Sequence, residues 1–165
     1  MKAVEAIKHK ILLPEQLVHM SFGWKMKGKT IAFTNGCFDI LHEGHIFSLS
    51  SAAKEADYLV VGLNSDSSTR ALKGDERPIN REESRALVLA SLVMVDVVVI
   101  FQESTPLELI KMIEPDVLVK GGDYLPDQVV GAREVTARGG RVVINPLVEG
   151  FSTTGLIQQI KSTLS

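Results

Sequence analysis

The sequence has little cysteine, few aromatic residues and no apolar run of membrane-spanning length. With Cys37 as the one cysteine, an intrachain disulfide is excluded and a cysteine-based zinc site is disfavoured. Residues 91–101 are very apolar, but the run is short for a membrane span and contains Asp96. The N-terminus lacks the long apolar run and small-residue cleavage site of a signal peptide. We therefore expect a cytoplasmic protein with no membrane partner.

An excess of charge of one sign is also missing. The formal net charge is -2 over 165 residues, which predicts no general affinity for nucleic acid or anionic membranes. A phosphate site would therefore be built from local cations and backbone amides. Apolar residues, in contrast, make up 45% of the chain, enough for the core of one domain.

Strand-like and helix-like segments alternate along the chain after Gly28. Short apolar runs predict five strands, at residues 30–34, 58–63, 95–101, 117–120 and 141–144. Helical spacing of apolar residues predicts intervening helices, at residues 44–56, 81–92, 105–113, 129–138 and 153–164. The polar residues 64–80 are interpreted as a loop. This alternation predicts an α/β domain with a doubly wound, parallel five-stranded sheet covered by helices on both faces.

Residues 1–28 precede this pattern and form a predicted N-terminal helical extension. Residues 3–13 have helical character, and Pro14 suits the first turn of a second helix. Helices mostly exist to bury an apolar face, so we expect the extension to pack on the domain or to form a dimer contact. The protein is accordingly expected to be a homo-oligomer, a dimer or larger.

The most informative motif follows the first predicted strand of the domain. Residues 34–45 read TNGCFDILHEGH, so a glycine turn leads into a helix that opens with His42 and His45. Glycine allows close approach of the backbone to a ligand, and amides at a helix N-terminus attract phosphate. Residues three apart share one helical face, so both imidazoles can stabilise charge on phosphate oxygens. Two nearby histidines are often only structural, but their place after a strand and a glycine turn favours phosphate chemistry.

A second anion-binding pattern lies near the C-terminus, where residues 150–154 read GFSTT. Serine and threonine cap helices, and the free amides of a capped helix suit an anion. In isolation this pattern indicates only a cap, and its functional interpretation depends on the histidine motif. Both motifs are expected at one edge of the sheet, since ligands bind beyond the carboxyl ends of parallel strands.

These motifs resemble those of a known family. Residues 36–45 are similar to the HxGH signature of the cytidylyltransferase-like nucleotidyltransferases, and residues 150–154 are similar to that family's GxSTT segment. Further stretches resemble the adenylyltransferase domain of the ADP-heptose synthases, namely residues 33–39, 62–66, 72–74, 77–80 and 119–124. The resemblance covers roughly residues 30–160 and implies a Rossmann-like nucleotidyltransferase domain over residues 29–165.

The resemblance also implies a reaction. The enzyme would transfer AMP from ATP to D-glycero-β-D-manno-heptose 1-phosphate, giving ADP-heptose and pyrophosphate for lipopolysaccharide core precursor synthesis. Its partners would be ATP and a sugar 1-phosphate. Mg²⁺ would enter with ATP and be held mainly by phosphate oxygens, and the sequence identifies no protein side chain as a metal ligand.

Residue roles are carried over by matching position. Catalysis is assigned to His42, His45 and Lys73. Nucleotide binding is assigned to a larger set, namely Asn35, Gly36, Cys37, Phe38, Gly121, Gly122, Asp123, Ser152, Thr153 and Thr154. Acceptor binding is assigned to Asp39, Asn64, Asp66, Arg77 and Arg85.

Two alternatives stay open at this point. The chain could be a glycerol-3-phosphate cytidylyltransferase or a non-catalytic nucleotide-binding subunit. Lys73-Gly74 and the run from Lys120 to Tyr124 favour the heptose branch. Phe151 stands where relatives often carry an arginine, so another cation would have to compensate, or Phe151 packs or stacks. A dehydrogenase is disfavoured, because no GxGxxG follows the first strand.

Overall fold

The computed structural model describes residues 4–146, 150 and 152–164. Within these residues, six parallel strands form one sheet in the order β1-β4-β3-β2-β5-β6. The strands are β1 Ile11–Leu12, β2 Ile31–Gly36, β3 Tyr58–Asn64, β4 Val97–Phe101, β5 Val117–Gly121 and β6 Arg141–Asn145. The predicted α/β class is therefore confirmed, whereas the predicted count of five strands is one too few.

Helices connect the strands and cover both faces of the sheet. They are α1 Val4–Lys8, α2 Pro14–Met26, α3 Glu43–Ala53, α4 Asp66–Lys73, α5 Glu82–Ala90, α6 Leu107–Ile113, α7 Ala132–Ala137 and α8 Thr153–Leu164, with a 3-10 turn at Pro126–Gln128. Across the described ranges, every helix is too short or too polar to span a lipid bilayer.

Two apolar layers hold the helices to the sheet, one on each face. The first contains Phe33 and Leu118 and is covered by α2, α6 and α7. The second contains Ala32, Val117 and Val119 and is covered by α3 and α5. Neighbouring residues of a strand point to opposite faces, so burial on both sides requires apolar residues at every position. This explains the continuous apolar runs in the sequence.

The N-terminal extension is only partly helical. Helix α1 ends at Lys8, and Ile11–Leu12 form a short strand at the edge of the sheet, where residues 3–13 were predicted to be one helix. The amide of Val98 in β4 donates a 2.8 Å hydrogen bond to the carbonyl of Lys10. Without this strand, β4 would be an edge with unpaired backbone groups. Ile11–Leu12 thus form a strand because β4 offers a pairing edge, which the local sequence pattern does not show.

The polar segment after β3 also differs from its prediction as a loop, because Asp66–Lys73 form α4. Ser65 caps this helix by accepting a 3.2 Å hydrogen bond from the amide of Ser68. Its buried residues are Ser68 and Thr69, so it has no apolar stripe of the kind that identifies helices. Gly74 follows the helix as its C-cap, and its φ of 97° is unfavourable for other residues. Lys73 is therefore the last residue of a helix.

Candidate active site

One large cleft lies at the carboxyl edge of the central strands, where ligands bind in folds of this kind. Its volume is about 680 Å³, within the usual range for small-ligand sites. Its walls include most of the predicted site residues, namely Asn35, Gly36, Cys37, Phe38, Asp39, His42, His45, Asn64, Lys73, Arg77, Gly121, Ser152, Thr153 and Thr154. The histidine motif and the Ser-Thr-Thr motif, more than a hundred residues apart in sequence, therefore line the same space.

The two histidines lie against each other at the start of α3. His42 is the N-cap residue of this helix, and His45 lies in its first turn. Their ring centroids are 3.8 Å apart and the rings are nearly parallel. The ring of Phe38 contacts His45 edge-on, with centroids 5.3 Å apart. Both imidazoles are therefore held in one orientation before any ligand binds.

Burial sets the charge of this pair. Removal from water lowers the pKa of His42, and it lowers the pKa of His45 to about 4, with the neighbouring His42 adding to the effect. Both rings are consequently neutral near pH 7, and each carries one N–H donor. The Nδ1 atom of His45 is buried and has no hydrogen-bond partner among the described residues. A bound anion would raise the pKa of these imidazoles and so favour their protonation.

The turn before the histidines is shaped by one glycine. A Cβ atom on Gly36 would lie 3.0 Å from the ring of Phe38, which folds back over it. Phe38 itself has a φ of 44°, an unusual value for a residue with a side chain. The glycine thus allows the turn that brings Phe38 against His45.

The start of α8 contacts the histidine loop directly. The hydroxyl of Thr153 donates a 3.2 Å hydrogen bond to the carbonyl of Ile40. Ser152 accepts a 2.9 Å hydrogen bond from the amide of Gly155 and so acts as the N-cap. Thr154 lies on the cleft wall with both of these residues. Phe151, the departure from the family pattern, lies outside the described residues.

Asp39 is buried on the cleft wall and anchors the loop after α4. It accepts hydrogen bonds from the Arg77 guanidinium at 2.6 Å, the Ile79 amide at 2.8 Å and the Asn80 amide at 2.9 Å. Burial alone would raise the pKa of Asp39, but the bonds from Asn80, Ile79 and Arg77 together hold this pKa below its usual value. The carboxylate is therefore ionised and already occupied within the chain.

Arg85 lies beneath the cleft and joins its walls. Its side chain is buried and donates to the carbonyls of Cys37 at 2.6 Å, Asn64 at 2.8 Å and Asn80 at 2.9 Å. A 2.7 Å ion pair with Asp66 completes the set. Neither Arg85 nor Asp66 lines the cleft, although the sequence predicted both as acceptor ligands. We infer that they position the walls.

Of the two glycines at the end of β5, Gly121 and Gly122, only the first lines the cleft. Gly121 lines the cleft, whereas Gly122 is buried and donates its amide to the Asn145 carbonyl at 3.1 Å. Asp123 is exposed and lies away from the cleft lining. The structure therefore supports a ligand contact for Gly121 more directly than for the two residues after it.

Lys120 is a cleft residue that the predicted site omitted. Its ammonium donates a 3.4 Å hydrogen bond to the side-chain carbonyl of Asn35. Burial lowers the pKa of Lys120; Cys37 opposes this shift and Lys73 adds to it. The signal was available in the sequence, because a lysine near the carboxyl end of an apolar parallel strand points to a ligand site.

Within the described ranges, no group of three or more His, Cys, Asp or Glu side chains is placed to hold a metal ion. The polar groups that do converge are imidazoles, hydroxyls, backbone amides at helix starts and the cations Lys73, Arg77 and Lys120. This chemistry suits a polyphosphate, which carries many acceptor oxygens and several negative charges.

Known proteins share this sequence pattern. The chain is 50% identical to the bifunctional protein HldE of Acidiphilium cryptum, across 96% of this chain and 34% of that protein. It is 58% identical to the bifunctional protein HldE of Nitrobacter hamburgensis, across 82% of this chain and 28% of that protein. The chain thus spans about a third of the length of these curated relatives.

Solved structures share the fold. The lipopolysaccharide core biosynthesis protein from Thermoplasma volcanium matches with a TM-score of 0.59 and 30% identity, over 73% of this chain and 98% of that one. Pantoate-beta-alanine ligase from Francisella tularensis matches with a TM-score of 0.59 and 17% identity, over 82% of this chain and 66% of that one, which shows similarity of fold alone. Residues 33–162 match the family model described as cytidylyltransferase-like. As this match includes the strand ends, both histidines and the start of α8, the chain belongs to the cytidylyltransferase-like family.

Proposed function

We propose that this chain transfers AMP from ATP to D-glycero-β-D-manno-heptose 1-phosphate, with ADP-heptose and pyrophosphate as products. The observation that carries the proposal is the meeting of His42, His45 and the start of α8 in one cleft at the carboxyl edge of the sheet. The identity to the HldE proteins supports the heptose branch over a glycerol-3-phosphate cytidylyltransferase or a non-catalytic subunit. A cytoplasmic location, where ATP is available, is part of the proposal.

The triphosphate would lie across the starts of α3 and α8. Backbone amides of both helices and the hydroxyls of Ser152 and Thr154 would bind its oxygens. His42 and His45 would donate N–H groups to oxygens of the reacting phosphate. Mg²⁺ neutralises phosphate charge when it is bound, and it would take most of its ligands from the phosphates.

The reaction needs no side-chain nucleophile, because a phosphate monoester is already largely anionic near neutral pH. An oxygen of the sugar phosphate attacks the α-phosphorus in line and forms the new P–O bond. The bond from the α-phosphorus to the bridging oxygen breaks, and pyrophosphate leaves with that electron pair. Catalysis then consists of positioning and of stabilising charge on phosphate oxygens. The imidazoles and Lys73 supply the donors and the charge.

The direct test is product analysis with matched histidine variants. The wild-type protein is offered ATP, CTP, GTP and UTP with a panel of sugar 1-phosphates and glycerol 3-phosphate. Pyrophosphate release is measured, and the product is identified by mass. We expect ADP-heptose, with His42→Ala and His45→Ala each lowering kcat by about 100-fold or more. His19→Ala removes an exposed histidine of α2 and serves as the control.

Three outcomes would contradict the proposal. Near-normal turnover in both histidine variants would remove their catalytic role. A preference for CTP with glycerol 3-phosphate would favour the cytidylyltransferase alternative. Nucleotide binding without pyrophosphate release from any pair would favour a binding subunit.

A further inference from the structure

The cleft has a second wall, on the opposite face of the sheet from the histidines. Helix α3, which begins with the histidine pair, packs on the face that contains Val119. Phe33 and Leu118 point to the other face, toward α6 and α7. Because side chains alternate along a strand, Asn35 and Lys120, each two residues further on, also point to that other face. The edge of the sheet therefore separates two groups of polar side chains in one cleft.

Lys120 is the principal charge on this second wall. Its side chain is only partly exposed, and its hydrogen-bond partner is the neutral amide of Asn35 at 3.4 Å. No carboxylate among the described residues forms an ion pair with it. A partly buried cation without a counter-charge is less favourable than a paired one, and an anionic ligand would supply that charge. Lys73 increases the positive potential at the same place.

Neutral polar residues next to the helices on this face line the same cleft as Lys120. Ser104 and Thr105 come from the loop before α6, and Gln128 comes from the 3-10 turn before α7. These side chains are exposed in the cleft. Hydroxyl and amide groups pair well with the hydroxyls of a sugar. A cation beside such groups matches a ligand that carries one phosphate and several hydroxyls.

The geometry of the transfer links this wall to the acceptor. In an in-line displacement the attacking oxygen and the leaving oxygen lie on opposite sides of the reacting phosphorus. The histidines and the start of α8 lie on one side of the sheet edge, where the leaving pyrophosphate would be held. An attacking group on the other side would lie against the wall of Lys120 and Asn35.

We propose that Lys120, oriented by Asn35, binds the phosphate of the sugar 1-phosphate acceptor, whose sugar ring lies against Ser104, Thr105 and Gln128. This inference rests on the proposed function. It assigns an acceptor role to a residue outside the predicted set and separates the acceptor subsite from the phosphate subsite of ATP. Lys120 contributes charge and position, and it takes no proton in the reaction.

The test compares the Michaelis constants of the two substrates in Lys120→Gln. We expect the KM for the sugar 1-phosphate to rise by about 10- to 100-fold, as for loss of a charge-assisted hydrogen bond. The KM for ATP should change less than about twofold. Lys120→Arg should recover part of the loss, because it retains the charge. Lys111→Gln, which removes an exposed lysine of α6, should leave both constants unchanged.

A second measurement separates this role from a structural one. Without ligands, Lys120→Met should unfold at the same temperature as the wild type or higher, because it removes a partly buried charge that has no carboxylate partner. A marked decrease in that temperature would show that Lys120 supports the fold, and this would contradict the proposal.

The failures of the two proposals are distinguishable. If the wild type makes ADP-heptose while Lys120→Gln raises the KM for ATP or neither KM, the acceptor inference is wrong and the proposed function stands. If the wild type releases no pyrophosphate with any sugar 1-phosphate, both are wrong.

Discussion

At the scale of single residues, the histidine pair illustrates how burial prepares a phosphate site. A solvated imidazole is partly protonated below pH 7, and two adjacent imidazolium groups repel each other. Burial lowers the pKa of both His42 and His45, and the adjacent His42 lowers that of His45 further, so both rings are neutral near pH 7. The pair is therefore neutral without a ligand, and a bound polyphosphate favours its protonated form, because negative charge raises the pKa of a nearby imidazole.

This state predicts a pH dependence of stability. The folded-state pKa of His45 is about 4, below the value of 6.5 for an unperturbed histidine. Between these two pH values His45 binds a proton in the unfolded chain and not in the folded chain. Protonation therefore favours the unfolded state, and the stability that is present above pH 6.5 is lost as the pH falls toward 4. We expect the thermal midpoint of the wild type to fall more between pH 7 and pH 5 than that of His45→Asn. Equal decreases in the two proteins would contradict this prediction, and His19→Asn should behave as the wild type.

The same state predicts proton uptake on nucleotide binding. ATP should raise the pKa of His45, so that binding near pH 6 takes up protons from the buffer. Calorimetry in buffers of different ionisation enthalpy measures this uptake directly. The expected uptake is smaller in His45→Asn. Proton release, or no exchange in the wild type, would show that the phosphates do not contact the pair.

At the scale of elements, the walls of the cleft are strand ends and loops tied together from below. Arg85 of α5 holds the carbonyls of Cys37 after β2, Asn64 at the end of β3 and Asn80 before α5. These bonds keep three segments at fixed positions through a side chain that does not itself line the cleft. Asp39, on the cleft wall, fixes the position of the loop that contains Arg77. Such support lets a site built from loops retain its geometry.

Loss of the Arg85 support should affect both stability and catalysis. Arg85→Met removes the charged partner of Asp66 and one hydrogen-bond donor from each of three carbonyls. We therefore expect a loss of about 3 kcal/mol in the free energy of unfolding, measured by urea titration. The added change Asp66→Asn should have a smaller effect in this background than in the wild type, because the two residues interact. A loss below about 1 kcal/mol for Arg85→Met would contradict the positioning role.

An added methyl group should change the free energy of unfolding in opposite directions at two glycines. A Cβ on Gly62 in β3 would lie 2.7 Å from the ring of Phe33, so Gly62→Ala should lower the free energy of unfolding by about 1–3 kcal/mol through overpacking. Gly23 in α2 has no atom within 4 Å of its Cβ position, so Gly23→Ala should raise it by about 0.5–1 kcal/mol. Urea unfolding of both variants measures the contrast. The same sign for both would contradict the packing argument.

At the scale of the whole molecule, the sheet order places β3 and β2 at the centre, β4 and β5 beside them, and the short β1 at one edge. The central strands end under the cleft, and the extension covers the edge of β4. Helix α2 belongs to this extension and leaves Phe22 and Met26 exposed, at 66% and 73%. Exposed apolar side chains of this size are common at interfaces between subunits, in agreement with the expected homo-oligomer, which stays a prediction.

Light scattering tests that expectation. We expect a mass of at least two chains for the wild type and a smaller mass for Phe22→Glu, if α2 forms the contact. Val93→Glu changes an exposed apolar residue away from α2 and should leave the mass unchanged. A wild-type mass of one chain would contradict the prediction.

The sequence by itself determined the parts of this protein that depend on local pattern. Alternating apolar runs and amphipathic segments specify a parallel sheet between helices, and the spacing of His42 and His45 places them at one helix start. The family, too, is evident from contiguous motifs. These features are readable because each depends on residues that are near one another in the chain.

Tertiary structure decided the features that depend on distant partners. Ile11–Leu12 become a strand because β4 offers an unpaired edge, and α4 forms with buried hydroxyls in place of an apolar stripe. Arg85 and Asp39 resemble ligand-binding residues in sequence, and the structure shows that each also joins distant segments. Arg85 bonds to Cys37, 48 residues away, and Asp39 bonds to Asn80, 41 residues away. Lys120 belongs to the cleft because β5 lies beside β2. Apart from the position of Lys120 at a strand end, these features follow from which segments meet in the fold, and no local pattern contains that information.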